Sequence, residues 1–215
     1  MTVKLSYCWI LYANKKTNLF GGNFMSKYQD PAVKVTSADE ALKLLKEGNA
    51  RFVANNLVPT DYKEAISKTA SQQSPFASIL TCADSRCSPE IYFDQGIGNI
   101  FVVRNAGNFA DREAIGSFQF AGAVLLSKII VVVGHSSCGA VKNAHGGTSG
   151  LPGELQGILD DIRAIVKDTD SVESATTANT KAQVEALKNN PAIKEAGIPV
   201  YGAHYDIATG VVSWL

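Results

Sequence analysis

Cysteine is scarce in this chain, and net charge is absent. Four cysteines, at positions 8, 82, 87 and 138 of 215 residues, are too few and too scattered for a disulfide scaffold. Twenty basic residues balance twenty acidic ones. A zero formal charge argues against nucleic-acid binding, which needs a basic excess to displace counterions. No apolar run approaches the roughly 18 residues of a membrane span. There is no Gly-x-Ser-x-Gly elbow, so a serine hydrolase is set aside. No pair of cysteines has the C-x-x-C spacing of a redox motif. Gly134 and Gly139 have a phosphate-loop spacing, but Ala140 and Val141 follow where Lys and Ser/Thr are required. Gly96-Ile97-Gly98 is an isolated turn signal. Internal repeats and low-complexity segments are lacking too. With 46% hydrophobic and 19% charged residues, the composition is that of a globular chain long enough to bury a full core.

What is present divides into an extension and one domain. Residues 1–25 carry Lys4, Lys15 and Lys16 and no acidic residue, around the apolar stretch Leu5–Ala13. They read as an extension the fold does not need, ahead of a second, more ordinary start at Met25. Targeting, or an arm packed on a neighbouring subunit, are the alternatives. The cytoplasm is the default compartment; an organelle or the periplasm follows if residues 1–25 direct the chain there. Residues 26–215 read as a single domain.

Ser37-Ala38-Asp39-Glu40 has the pattern of a capping box, and Ala41, Leu42, Leu44, Leu45 and Phe52 fall on one helical face. This predicts an amphipathic helix over 37–55, with a second short helix over 61–72. Short apolar runs at 76–81, 100–103 and 129–133 lack a helical period, as buried parallel strands do. Helical patterns at 111–127, 153–168 and 173–190 separate or follow them. A fourth run starts at Pro199, and 210–214 reads as a terminal hairpin strand. The stretch Asp170–Thr180, rich in Ser, Thr and Ala, carries the weakest signal. The expected architecture is α/β: a mostly parallel central sheet with flanking helices, an N-terminal helical arm and a C-terminal antiparallel edge strand.

In such sheets ligands bind beyond the carboxyl ends of the strands. Two of these ends carry metal-ligand chemistry. The first reads Cys82-Ala83-Asp84-Ser85-Arg86, and the third Gly134-His135-Ser136-Ser137-Cys138-Gly139. Cys82, His135 and Cys138 offer two thiolates and one imidazole. That set suits zinc and leaves a fourth position open. A closed site would need a fourth ligand from Cys87, Asp84, His145 or His204, and a site without metal is the blander alternative. Asp84 and Arg86, two apart, can pair bidentately, which holds the carboxylate ionised beside the cluster. His145, His204 and Cys87 read more simply as surface or packing residues, although His145 has the position for a proton relay.

These residues resemble the β-class carbonic anhydrases. The resemblance runs from about Ala38 to the C-terminus and is densest in three blocks: Gln73–Phe76 through Arg86, Phe101–Asn108, and Gly134–Ala140. It implies zinc held by Cys82, His135 and Cys138, with Asp84 and Arg86 as the catalytic dyad. It implies a substrate-binding role for Gln73, Phe101, Ala106, Phe120 and Gly139. Phe120 stands where a Tyr is common, and Gln119 where a Glu is frequent. Gln73 matches a glutamine of plant-type, open-site members that reaches the partner's site. The implied activity is reversible hydration of CO₂ to bicarbonate and a proton by a zinc-bound hydroxide. The implied assembly is a homodimer or dimer of dimers, with the 37–55 helix in the contact and no nucleic-acid or membrane partner. A related hydrolase acting on CS₂ or COS is the nearest rival, separated by a sulfide assay. A non-catalytic zinc or bicarbonate-binding protein would have no need of the dyad. Redox sensing by Cys82 and Cys138 is the third rival, and zinc would protect both thiolates from it.

Overall fold

The computed structural model describes residues 34–215. The expected extension over 1–25, with Cys8, lies outside the described residues. No helix among the described residues is long and apolar enough to cross a membrane.

Helix α1 (Ala38–Val53) starts where the sequence predicts, with the Ser37 hydroxyl accepting the Glu40 N–H at 3.1 Å. The reciprocal half of the capping box differs: the Glu40 carboxylate accepts from the Thr36 N–H at 3.1 Å instead of returning to Ser37. Helix α2 (Tyr62–Thr69) is capped by Asp61. Strand β1 (Ala77–Cys82) is buried throughout. A short helix α3 (Pro89–Tyr92) leads to β2 (Ile100–Asn105), and a 3₁₀ turn (Ala106–Asn108) leads to α4 (Arg112–Ala123). Then come β3 (Ile129–His135), α5 (Gly139–His145), α6 (Gly153–Val166), α7 (Val172–Lys188) and α8 (Pro191–Glu195). Strands β4 (Val200–Tyr205) and β5 (Val212–Trp214) close the chain.

The sheet order is β2-β1-β3-β4-β5, with β5 alone antiparallel. The period-two alternation of strand side chains sorts the core into two layers. Ile129, Val131 and Val133 of β3 join Leu44, Leu45, Tyr92 and Phe93 on the α1/α3 face. Ile130 and Val132 join Phe118, Val184, Leu187 and Ile193 on the face covered by α4, α7 and α8. The N-terminal arm is thus stitched to the sheet, and Asn49 adds polar stitches. Its buried amide donates to the carbonyls of Tyr92 at 2.9 Å and Gly210 at 2.8 Å and accepts the Val212 N–H at 2.9 Å.

The weakest stretch of the sequence proves helical from Val172 onward. Ser171 and Ser174 form a reciprocal capping box at the start of α7. The buried hydroxyls of Thr176 and Thr180 bond back to the carbonyls of Val172 and Thr176, so these polar residues enter the core with their hydrogen bonds satisfied.

The connection after β1 runs to β2 on one side, and the one after β3 runs to β4 on the other. Adjacent strands whose connections part in this way form a topological switch point, where open α/β sheets leave a crevice. The turns after Cys82 and His135 both open onto it.

Candidate metal centre

Cys82 is the last residue of β1, paired in register with Asn105 of β2. His135 is the last residue of β3, and Cys138 caps α5. Ser137, between them, adopts φ 56, a left-handed bend that turns the two side chains of His135-x-x-Cys138 toward one point. Gly134 has no Cβ because α7 presses on β3 there; a methyl group would meet the Thr180 hydroxyl and Thr176.

The three ligand atoms lie within 4.8 Å of one another, and all three residues are buried. The sulfurs of Cys82 and Cys138 are 4.0 Å apart. Two sulfurs bound to a tetrahedral zinc at ~2.3 Å would lie about 3.8 Å apart, so the spacing fits. The His135 Nδ1 is 3.0 Å from the Ser136 carbonyl, which assigns it the ring proton. That leaves Nε2 buried and without a hydrogen-bond partner, as the ring nitrogen that would meet a metal ion. An orphaned imidazole nitrogen beside two thiols is the donor set of a zinc site.

The metal-free cluster holds protons that a bound ion would displace. Its contact with Cys138 pulls the Cys82 thiol down to about 4; burial opposes this, and His135 with the backbone N–H groups of Asp84 and Gly107 assist it. The same contact, with burial, pushes Cys138 up. Burial pulls His135 down, but the sulfurs of Cys82 and Cys87 outweigh it and raise the imidazole to about 10.

Asp84 stands beside the cluster without joining it. Arg86 donates from Nε to Oδ1 at 2.9 Å and from Nη2 to Oδ2 at 2.7 Å, while its backbone N–H adds 3.0 Å to Oδ1. The guanidinium holds the Asp84 carboxyl well below the usual carboxylate range, against the opposing effect of burial. The pair is half open to solvent, with side-chain exposures of 17% for Asp84 and 52% for Arg86.

The other expected residues are placed unequally. Ala106 directly follows the partner of Cys82, and Gly139 directly follows Cys138, so both adjoin the cluster. Phe101 pairs with Ser78, four residue pairs back along β1, which is about 13 Å. Phe120 lies on α4 and is 46% exposed. Gln73 is exposed on the loop before β1, at the opposite end of the strand from Cys82. The Nε2 of His145 is tied to the Thr169 carbonyl at 2.8 Å. His204 is half-buried on β4, and Cys87 is a fully buried core residue.

Sequence reasoning missed the groups that hold the loops. Arg104 donates to the Cys82 and Asp84 carbonyls. Asn179 of α7 donates to the Gly107 carbonyl at 2.8 Å, and Gln183 bonds both Asn179 and the Ala110 N–H. The one available signal was the i, i+4 pair of amides on α7.

A carbonic anhydrase family model matches residues 77–212, which span β1 to β5 and contain every ligand of the cluster. This chain belongs to the β-carbonic anhydrase family. A carbonic anhydrase of Mycolicibacterium smegmatis is 50% identical over 103 residues, 47% of this chain and 50% of that protein. One of Pseudomonas aeruginosa is 31% identical over 167 residues, 68% of this chain and 76% of that protein. Among solved structures, a tetrameric β-carbonic anhydrase of Sordaria macrospora aligns with a TM-score of 0.64 at 30% identity, over 70% of this chain and 85% of that one. The Coccomyxa β-carbonic anhydrase in complex with acetazolamide aligns with a TM-score of 0.63 at 28% identity, over 81% of this chain and 86% of that one. The matched segment spans 50% and 53% of the Mycolicibacterium smegmatis protein and of carbonic anhydrase 2 of Mycobacterium tuberculosis.

Proposed function

We propose that this β-carbonic anhydrase family member hydrates CO₂ reversibly to bicarbonate and a proton, at a site of the open, plant-type subtype. The observation that carries the reading is the doubly bonded Asp84–Arg86 pair beside the convergent Cys82, His135 and Cys138. The three buried residues would hold zinc through two sulfurs and the His135 Nε2. Bound there, zinc supplies hydroxide near neutral pH by lowering the pKa of a coordinated water.

The rest of the chemistry falls to the chain. Both oxygens of Asp84 are engaged by Arg86, so the carboxylate stays ionised and stays off the cluster. An ionised carboxylate can only accept. It takes a hydrogen bond from the nucleophile and so turns a lone pair toward carbon. Ala106 and Gly139, beside the ligands, offer no polar side chain to compete for CO₂. Gln73 lies five strand steps and a loop from Cys82, and five steps alone are about 17 Å, beyond a glutamine's reach. It therefore serves the partner subunit of a homodimer or dimer of dimers, where it donates to the product oxygen. Phe101 and Phe120 line the apolar approach in that assembly.

Stopped-flow CO₂ hydration tests this on zinc-loaded protein and on Asp84→Asn. The wild type should turn over rapidly, and the variant should keep its zinc and lose roughly 10²–10⁴-fold in rate. Unchanged turnover in the variant would refute the role of Asp84. A zinc-loaded wild type with no hydration at any pH from 6 to 9 would refute the activity.

A further inference from the structure

The turn that follows β1 carries two things the proposed chemistry needs at a fixed separation: the Cys82 sulfur and the Asp84 carboxylate. Packing holds its two ends, Cys82 and the fully buried Cys87, but little covers the residues between them. Cys82 is buried, but Ala83 and Ser85 are exposed and Asp84 is only partly covered. The Asp84–Arg86 pair lies within the turn, so it stiffens the turn without anchoring it to the sheet. The anchoring bonds come from β2. The Ala83 N–H donates to the Asn105 carbonyl at 2.9 Å. Arg104, the residue before Asn105, reaches across with its guanidinium. Its Nε donates to the Cys82 carbonyl at 3.2 Å and its Nη2 to the Asp84 carbonyl at 2.7 Å. Arg104 thus supplies two side-chain hydrogen bonds from another strand to the backbone of this turn.

We infer that Arg104 is a positioning residue: its planar fork spans the carbonyls of Cys82 and Asp84 and sets the distance between the metal thiolate and the hydrogen-bond acceptor. It touches neither functional side chain. The guanidinium suits this task because its donors are fixed in one plane, whereas a lysine ammonium is a single flexible point charge. One bond falls on each side of Ala83, so the fork constrains the backbone dihedrals between ligand and acceptor. The Asp84 carbonyl also accepts the Cys87 N–H at 2.9 Å, which ties the far end of the turn to the same point. This inference rests on the proposed metal site and dyad. Partners of this kind, one step out from the ligands, typically contribute 10- to 100-fold in metal affinity or activity.

The test compares wild type with Arg104→Gln and Arg104→Lys, and uses Arg112→Ala as a control. Arg112 is an exposed arginine paired only with its neighbour Glu113. Zinc affinity is read by competition with a chromogenic chelator, on metal-free protein and without CO₂. Hydration kinetics are read separately as kcat and KM. The expected result is a loss of about tenfold or more in zinc affinity in both Arg104 variants. In hydration, kcat should fall with little change in KM, and Arg112→Ala should match wild type throughout. Wild-type affinity and kcat in Arg104→Gln would overturn the inference. So would full recovery in Arg104→Lys, because charge and not the fork would then hold the turn. A drop in the unfolding midpoint of metal-free Arg104→Gln large enough to account for its lost affinity would overturn it as well. Zinc affinity needs no substrate, so a wild type that binds zinc but hydrates no CO₂ would refute the activity and leave this test intact.

Discussion

Stripping the metal should cost this protein much of its thermal stability, and the structure sets the size of the effect. The Nε2 of His135 is buried with no hydrogen-bond partner, and it faces two buried sulfurs 4.0 Å apart. A buried polar atom left unsatisfied costs about 1–3 kcal/mol, so the metal-free fold carries a penalty that an ion removes. The ligands converge only in the folded chain, because β1 and β3 must pair before Cys82 and His135 meet. An ion that binds the folded state alone stabilises it by RT ln(1 + [L]/Kd), about 4 kcal/mol at a thousandfold excess over Kd. For a chain of 150–250 residues, each kcal/mol moves Tm by about 2–4 °C. Zinc should therefore raise the midpoint by about 8–16 °C. Differential scanning calorimetry of chelator-stripped protein, before and after reloading, measures this. Magnesium is the control, since a hard cation prefers oxygen ligands and should give no shift. Cys82→Ser should lose most of the zinc response. An unchanged midpoint on reloading, or an equal shift with magnesium, would refute the assignment of these three residues as a zinc site.

The remaining predictions concern the assembly and the packing that supports the site. Gln73→Ala and Cys82→Ser should each be inactive alone. After mixing and subunit exchange, activity should reappear, because one subunit supplies the metal ligands and the other the glutamine; no recovery would place Gln73 outside the partner's site. Asn49→Ala removes three hydrogen bonds and leaves the buried backbone groups of Tyr92, Gly210 and Val212 unpaired. It should cost about 3–5 kcal/mol in urea unfolding, and a loss under about 1 kcal/mol would show that the arm holds without it. Gly134→Ala drives a methyl group into the Thr180 hydroxyl on α7. It should lose about 1–3 kcal/mol and weaken zinc binding through the adjoining His135, and a neutral result would mean that α7 can yield.

Local chemistry was legible wherever it depended on nearest neighbours. The strand runs 100–103 and 129–133 lie within β2 and β3; β3 is buried throughout as its apolar run predicts, whereas β2 is the edge of the sheet and only partly covered, which an apolar run does not tell apart. Helix α1 begins at its hydroxyl cap for a local reason. The segment Asp170–Thr180 was harder to read. Its Thr and Asn residues look like solvent-facing polar positions, and only burial against β3 and the Gly107 turn explains them. The short helices α3 and α8 and the 3₁₀ turn at Ala106–Asn108 are too brief to show a period. Glu40 sits correctly for a capping box, yet its carboxylate found the Thr36 amide, a choice that side-chain geometry makes and spacing does not.

The sequence by itself determined the inventory: two thiols and one imidazole at the ends of two strands, and an acid two residues from an arginine. Those are one-dimensional facts, since ligand type and spacing are properties of the chain. Tertiary structure decided how they meet. Pairing β1 with β3 brings positions 82, 135 and 138 within 4.8 Å, and the Ser136 carbonyl leaves the Nε2 of His135 bare. The direction of the β1 strand puts Gln73 at the end opposite Cys82, so their closeness in sequence is not closeness in space. Arg104 was anonymous until β2 lay beside β1, because a clamp on two carbonyls has no sequence spacing; it exists only when the register of the sheet sets a guanidinium opposite them.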